Sequence, residues 1–236
     1  MTTIEREGET DLAGRLAFVR AGIAEAAAAN SRRLDELTLI VVTKFHPASL
    51  VRELMNLGVT DFGESRHQEA RDKVAELTGT PATWHFVGQL QGKKAKQVAA
   101  YASVIHSLDR PSLADLLSSA EVRPTAGRTD VFLQVNLTDD PGRGGVAPGG
   151  ARELAEYVEV LPGLRLLGVM GVAPLGEGPR SAFARLRAVS EAVTQSVPRA
   201  SAISAGMSHD YAEAIAEGAT HLRIGSAITG IRPAAG

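Results

Sequence analysis

The chain of 236 residues has no cysteine, which excludes disulfides and thiolate metal sites. It has no long apolar run either. Every hydrophobic stretch is broken by glycine, proline or charge before the roughly 18 residues that a membrane-spanning helix needs. Charge of one sign is also missing. The formal net charge is −2, so nothing global favours nucleic acid or an anionic membrane surface. Aromatic residues are only 4% of the chain, little material for an association surface, and the expectation is a monomer. The opening "MTTIEREGET" is polar and acidic, unlike a secretion signal. These absences point to a cytoplasmic protein whose residues 1–10 are disordered and whose residues 232–236 form a short tail.

Hydrophobic residues are 44% of the chain, ample for a core, and they fall in a repeating order. Short apolar runs predict strands at Leu39–Lys44, Thr60–Gly63, Trp84–Gly88, Ser103–Ser107, Val131–Asn136, Leu166–Val172, Ala200–Ala205 and His221–Gly225. Amphipathic stretches between them predict helices at Ala48–Leu57, Glu64–Leu77, Lys93–Tyr101, Pro111–Ser119, Gly150–Leu161, Pro179–Ser196 and Ser208–Glu217. An Ala-rich helix over about Leu12–Asn30 precedes the first strand. Pro47 suits the position before one helix, Ser208 can cap another, and Gly58, Gly163 and Gly218 fall just after helices. Eight strands alternating with helices, without a long linker, imply α/β class and a single (β/α)8 TIM barrel over residues 11–231. The competing arrangement is an open doubly wound sheet of six or seven strands. "EVRPTAGRTD" and "DDPGRGGVAPGG" read as exposed loops.

In "ELTLIVVTKFHP" a lysine, Lys44, closes an apolar strand. Lysine is seldom buried without a partner. In a barrel the C-terminal ends of the strands form the active face, and Lys44 shares the parity of Ile40 and Val42. A desolvated lysine there has a lowered pKa and forms an imine with an aldehyde. The alternative is a lysine that keeps its head in water.

The segment "ISAGMSHDYAEAIAEGATHLRIGSAITG" supplies two anion sites after the seventh and eighth strands, where barrels often bind phosphate. One is Ser204-Ala-Gly-Met-Ser208, with the Met207 and Ser208 amides. The other is Gly225-Ser226. Arg223 interrupts the last strand on the inward parity. It is either half of a structural ion pair or a donor to a ligand, because arginine can only donate hydrogen bonds. An imine-forming lysine, a phosphate cradle and a donor to a ring nitrogen together fit pyridoxal 5′-phosphate, PLP.

The sequence resembles the PLP homeostasis proteins of the YggS/PROSC type, from about Leu12 to Gly230. The resemblance rests on "VVTKFHP", "DFGESRHQEA", "WHFVGQLQGKKAK", "IHSLDR", "LQVNLTDD", "LGVMGV" and the C-terminal segment quoted above. It implies a barrel like the N-terminal domain of alanine racemase, with PLP held as an internal aldimine on Lys44. It also implies a part in PLP supply, with apo PLP-dependent enzymes as acceptors. Ser204, Gly206 and Ser208 match the phosphate-facing positions of the family. Ser65 stands where the family usually has an asparagine near the cofactor, Gln89 replaces the usual proline, and Ala205 replaces the usual methionine.

PLP enzymes that need a strong electron sink pair the ring nitrogen with a carboxylate. Arg223 does the reverse, which counts against transaminase or decarboxylase chemistry. A racemase needs an acid or base on each face of the substrate carbon. The tyrosines, Tyr101, Tyr157 and Tyr211, are all expected on helices, and 236 residues leave no room for an added domain that would supply another. The alternative to a PLP carrier is therefore a weak amino-acid racemase or lyase using the same lysine. A phosphosugar barrel enzyme that uses Lys44 without PLP is a third class. His46, His85 and His106 fall at strand ends; any could be a base, but the expectation is hydrogen-bonded structural histidines, and His85, on the strand of "WHF", is the best placed of them to reach the cofactor. No metal pattern such as HExxH is present. Lys93, Lys94 and Lys96 read as a solvated basic face.

Overall fold

The computed structural model describes residues 11–120, 127–140 and 142–230. The expected disordered start, the tail 232–236 and parts of both expected loops (121–126 and 141) lie outside the described residues. The elements run α1 (Leu12–Ala29), β1 (Thr38–Val42), α2 (Ala48–Asn56), β2 (Asp61–Glu64), α3 (His67–Glu76), β3 (Thr83–Phe86), α4 (Ala95–Ala99) and β4 (Val104–Leu108). They continue as α5 (Pro111–Ser118), β5 (Thr129–Gln134), α6 (Ala151–Glu159), β6 (Leu164–Met170), α7 (Pro179–Ser196), β7 (Ala202–Ser204), α8 (Tyr211–Ala216), β8 (His221–Ile224) and α9 (Ser226–Thr229).

All eight strands are parallel, each beside the next in sequence, and β8 returns to β1 with Ile40 in register with Arg223. That last pairing decides for the closed barrel against the open sheet. Local chemistry sets the helix starts. Asp11 accepts a hydrogen bond from the Gly14 amide at 2.8 Å and caps α1. Pro111 and Pro179 open α5 and α7, where a missing N–H costs nothing. Gly58 and Gly218 take left-handed φ values of 78° and 91° after α2 and α8. Gly163 does not. It lies in the turn into β6. Ser208 does not cap α8 either. A turn closed by the Met207 carbonyl, which accepts from the Asp210 and Tyr211 amides, delays the helix to Tyr211.

Strand alternation sorts the side chains. Val41, Phe62, Trp84, Ile105, Val131, Ile203, Leu222 and Ile224 face outward into one continuous core beneath the helices. Val104, Phe132 and Met170 form a separate cluster inside the barrel. Barrel interiors are usually filled by branched aliphatic residues. Here the inward positions of β2, β3, β4, β7 and β8 carry Asp61, His85, His106, Ser204, His221 and Arg223.

Candidate active site at the barrel mouth

Lys44 lies in the turn to α2, two residues beyond the end of β1 rather than on the strand. The Thr43 amide still bonds the Gly63 carbonyl at 3.0 Å, but Phe45 then takes a φ of +70° and turns the chain away. The lysine side chain is exposed, which agrees with the alternative of a lysine that keeps its head in water and not with a desolvated one, and its Nζ lies 5.9 Å from the centre of the Phe45 ring. A left-handed backbone at a residue with a Cβ costs about 1–3 kcal/mol and persists only where the surroundings impose it.

A buried ion cluster imposes it. The Phe45 amide donates to the Glu69 carboxylate. The Lys73 ammonium donates to the Thr43 carbonyl at 2.7 Å, to Glu64 Oε1 at 2.7 Å and to Glu69 Oε1 at 2.8 Å. Thr43 Oγ1 donates to the same Glu64 oxygen at 2.7 Å. Both chain neighbours of Lys44 are thus tied to one ammonium and its carboxylates. Lys73 is 6% exposed and Glu64 1%. Burial pushes the Glu64 carboxyl above its ordinary range, against the pull of Lys73 and Thr43. In the sequence, Glu69 and Lys73 look like an ordinary solvated pair one helical turn apart. Only the spatial position of Glu64, at the end of β2, shows otherwise.

The turns after β7 and β8 form the other side. Gly206 has a φ of +90°, and a Cβ there would sit 2.8 Å from the Ala214 Cβ and 3.0 Å from the Tyr211 Cα. Gly206→Ala is therefore expected to cost roughly 2–4 kcal/mol in urea unfolding, from strain and overpacking together. A loss below about 0.5 kcal/mol, the range of an ordinary surface change, would refute the tight packing. The Ser208 hydroxyl accepts from the Ala227 amide at 3.3 Å and lies 3.5 Å from Ser226 Oγ, joining the two turns. Gly225 lies against the Val42 carbonyl of β1. The structure brings Gly206, Ser208, Gly225 and Ser226 together beside the end of β1. Met207 is placed differently, since its amide already donates to Asp210 Oδ1 at 2.5 Å.

Ser204 and Arg223 lie deeper. Arg223 is 5% exposed, and it donates from Nη1 to Ser204 Oγ at 2.5 Å and from Nη2 to the Gly171 carbonyl at 2.9 Å. Among the described residues no carboxylate is in hydrogen-bond contact with it, so the direct ion pair is absent, although Asp210 favours its charge from farther off. Burial pulls its guanidinium down to about 10, still protonated at neutral pH. His85 is buried in the barrel, with Nε2 at 2.9 Å from Asp61 Oδ1 and Nδ1 at 2.9 Å from His106 Nε2. It reaches Arg223 only through His106, whose Nδ1 lies 2.9 Å from Ser204 Oγ. Burial holds His106 well below the ordinary imidazole range and brings His221 down to about 4. Ser65 follows β2, half-buried. Its carbonyl would be 2.3 Å from a Cβ at Gly88, so a glycine is required there.

The remaining residues have other neighbours: the Tyr211 backbone lies beside Gly206, but its hydroxyl packs against Gly22 of α1. Tyr157 and Tyr211 are on α6 and α8, but Tyr101 falls in the turn after α4, because that helix ends at Ala99. Tyr157 donates to Asp115 at 2.6 Å, and Tyr101 is buried with its ring stacked on His67. Lys93 and Lys96 are exposed and Lys94 is half-buried. Among the described residues no cluster of His, Asp and Glu is placed to hold a metal ion.

Comparison with known proteins agrees with this architecture. The family model described as alanine racemase, N-terminal domain, matches residues 23–233. The pyridoxal phosphate homeostasis protein of Mycobacterium tuberculosis is 38% identical over 242 residues, which span 95% of this chain and 94% of that protein. That of Pseudomonas aeruginosa is 41% identical over 225 residues, 94% of this chain and 96% of the relative. The structure of PipY from Synechococcus elongatus, with PLP bound, has a TM-score of 0.81 and 35% identity over 93% of this chain and 100% of that one. Alanine racemase from Corynebacterium glutamicum, 14% identical with a TM-score of 0.70 over 95% of this chain and 62% of that one, shares the fold. The motifs, the closed barrel and identity along nearly the whole length lead to one assignment: the chain belongs to the alanine racemase N-terminal domain family and to the pyridoxal phosphate homeostasis proteins.

Proposed function

We propose that this chain binds PLP at the mouth of its barrel, holds it covalently through Lys44, and serves intracellular PLP homeostasis. The observation that carries this reading is Arg223, a buried guanidinium whose only hydrogen-bond acceptors among the described residues are neutral. A cation held that way suits a ring nitrogen without a proton. It stands in register with Ile40, four positions before Lys44. The exposed Lys44 amine is accessible to an aldehyde. The Ser208 and Ser226 hydroxyls and the turns at Gly206 and Gly225 suit a phosphate. PLP supplies an aldehyde that condenses with an amine, and a ring that can draw electrons from carbon attached to it.

The protein's own groups argue for carrying rather than turnover. Arg223 keeps the ring nitrogen unprotonated and so weakens the electron sink. Both ring nitrogens of His85 and of His106 are engaged inside the barrel. The tyrosines are on outer helices or packed on His67. A second acid or base opposite Lys44 is thus not supplied by these groups. In this reading apo PLP-dependent enzymes of the cytoplasm receive the cofactor. On the same reading the protein acts as a monomer, since aromatic residues, at 4% of the chain, offer little material for an association surface. Among the described residues no helix is long and apolar enough to cross a membrane.

The test combines loading with turnover. Purified protein mixed with PLP should turn yellow, and borohydride should fix the cofactor to the chain. The loaded protein should leave L- and D-alanine, serine and threonine unchanged. Turnover at ordinary enzyme rates, roughly 1–10³ s⁻¹, would replace the carrier with a racemase or lyase. A chain that never yellows would revive a barrel enzyme that uses Lys44 without PLP.

A further inference from the structure

The interior polar groups are not scattered. Asp61, His85, His106, Ser204 and Arg223 touch in sequence across the barrel, from the first residue of β2 to the last of β7 and on to β8. Asp61, at the far end, borders a cavity of about 420 Å³ on the face opposite the mouth, beside Arg20, Thr38 and Thr60.

The donors in this chain can be assigned from its two ends. Arginine only donates, so Ser204 Oγ receives a hydrogen from Arg223. An ionised aspartate only accepts. Burial opposes the charge on Asp61, but hydrogen bonds from His85 and from Thr60 Oγ1, at 2.7 Å, bring its carboxyl below the ordinary range. His85 therefore carries its hydrogen on Nε2. With one hydrogen per ring, its Nδ1 is an acceptor and His106 carries a hydrogen on Nε2. His106 Nδ1 is then an acceptor, and Ser204 turns its own hydrogen toward it. Every link has one donor and one acceptor, and no charge is needed between the ends. Phe132 fixes the rings from β5, stacked on His106 at 4.6 Å and edge-on to His221 at 5.0 Å.

We propose that Asp61, His85, His106 and Ser204 form one directed hydrogen-bond relay, with all donors pointing from Arg223 toward Asp61, that positions Arg223 for the ring nitrogen of PLP. The inference rests on the PLP reading above. It makes Ser204 a positioning residue for Arg223 rather than a phosphate ligand, and it gives His85 and His106 the same indirect role. A guanidinium with a single flexible acceptor would swing. One held between Ser204 Oγ and the Gly171 carbonyl presents its remaining N–H groups in one plane.

Two measurements on the full chain test this. Nitrogen-15 NMR of labelled histidine in the unaltered protein should show His85 and His106 both carrying hydrogen on Nε2. A hydrogen on His106 Nδ1 would overturn the relay. PLP titration of variants tests its purpose. His106→Leu should weaken PLP binding about tenfold, which is about 1.4 kcal/mol, and shift the absorption band of the bound cofactor. His106→Asn, which keeps an acceptor for the Ser204 hydroxyl, should recover most of both. Unchanged affinity and spectrum in His106→Leu would overturn the positioning role. If that variant does not fold, a loss of about tenfold in His106→Asn, which keeps the acceptor, would do so. Failure of the unaltered chain to bind PLP would defeat the functional reading, while the tautomers would still decide the relay.

Discussion

Replacing Lys44 with Ala is expected to abolish borohydride-fixed attachment of PLP while leaving the barrel intact. Lys44 is exposed, and the contacts that shape its turn are made by the backbone of Thr43 and Phe45. Its side chain therefore contributes little to stability, within about 0.5 kcal/mol as for other surface positions. PLP should still bind reversibly through Arg223 and the turns after β7 and β8, and gel filtration should remove it. The nearest competing amine in the site is Lys73, but its nitrogen is buried and engaged with three oxygens. An intact mass that still gains one PLP after reduction in the Lys44→Ala protein would show that the site is misassigned.

The second large effect is expected from Lys73→Met. Removing one partner of a buried pair leaves an uncompensated charge, which typically costs 3–5 kcal/mol. Glu64 would be that charge, since it is 1% exposed and shares its Oε1 with Lys73 and Thr43. The pH dependence has a definite sign. A carboxyl whose folded pKa is raised binds its proton more tightly in the folded state. Its penalty is present at neutral pH and relieved as pH falls through that raised value. Burial already places Glu64 in this class in the parent protein, and loss of Lys73 moves it further. The deficit of Lys73→Met against the parent, measured by urea unfolding, should therefore be largest near neutral pH and shrink on acidification. Glu64→Leu in the same background should restore much of the lost stability. A deficit that is flat with pH, or that grows in acid, would contradict this account. The variant should also load PLP more slowly, because Phe45 would lose the carboxylate arrangement that holds its left-handed turn.

Several of these parts could be read in the sequence. Alternation of apolar runs and helices gives eight strands because burial on both faces of a parallel sheet demands it. Lys44 and Arg223 stand out because each places a cation in an apolar strand pattern. The clamp on Lys44 was not legible, since Glu69 and Lys73 are also what a solvated helix would carry. Nor was the contact of His106 with Ser204, which are 98 residues apart and meet only across the closed barrel. The end of β1 was misjudged for a local reason. The apolar run itself stops at Val42, and counting Thr43 and Lys44 into the strand overlooks the left-handed backbone at Phe45, held from α3, that turns the chain away.

Closure of the barrel between its first and last strands also sets an order of events. On the reading proposed above, the amine of Lys44 is synthesised early, while the turns assigned to the phosphate and the arginine beside them come from the last quarter of the chain. A nascent polypeptide that has emerged only as far as β7 owns a lysine but no vitamin pocket. On that reading the complete pocket exists only once β8 docks, so stable loading of the cofactor would itself report that folding has finished.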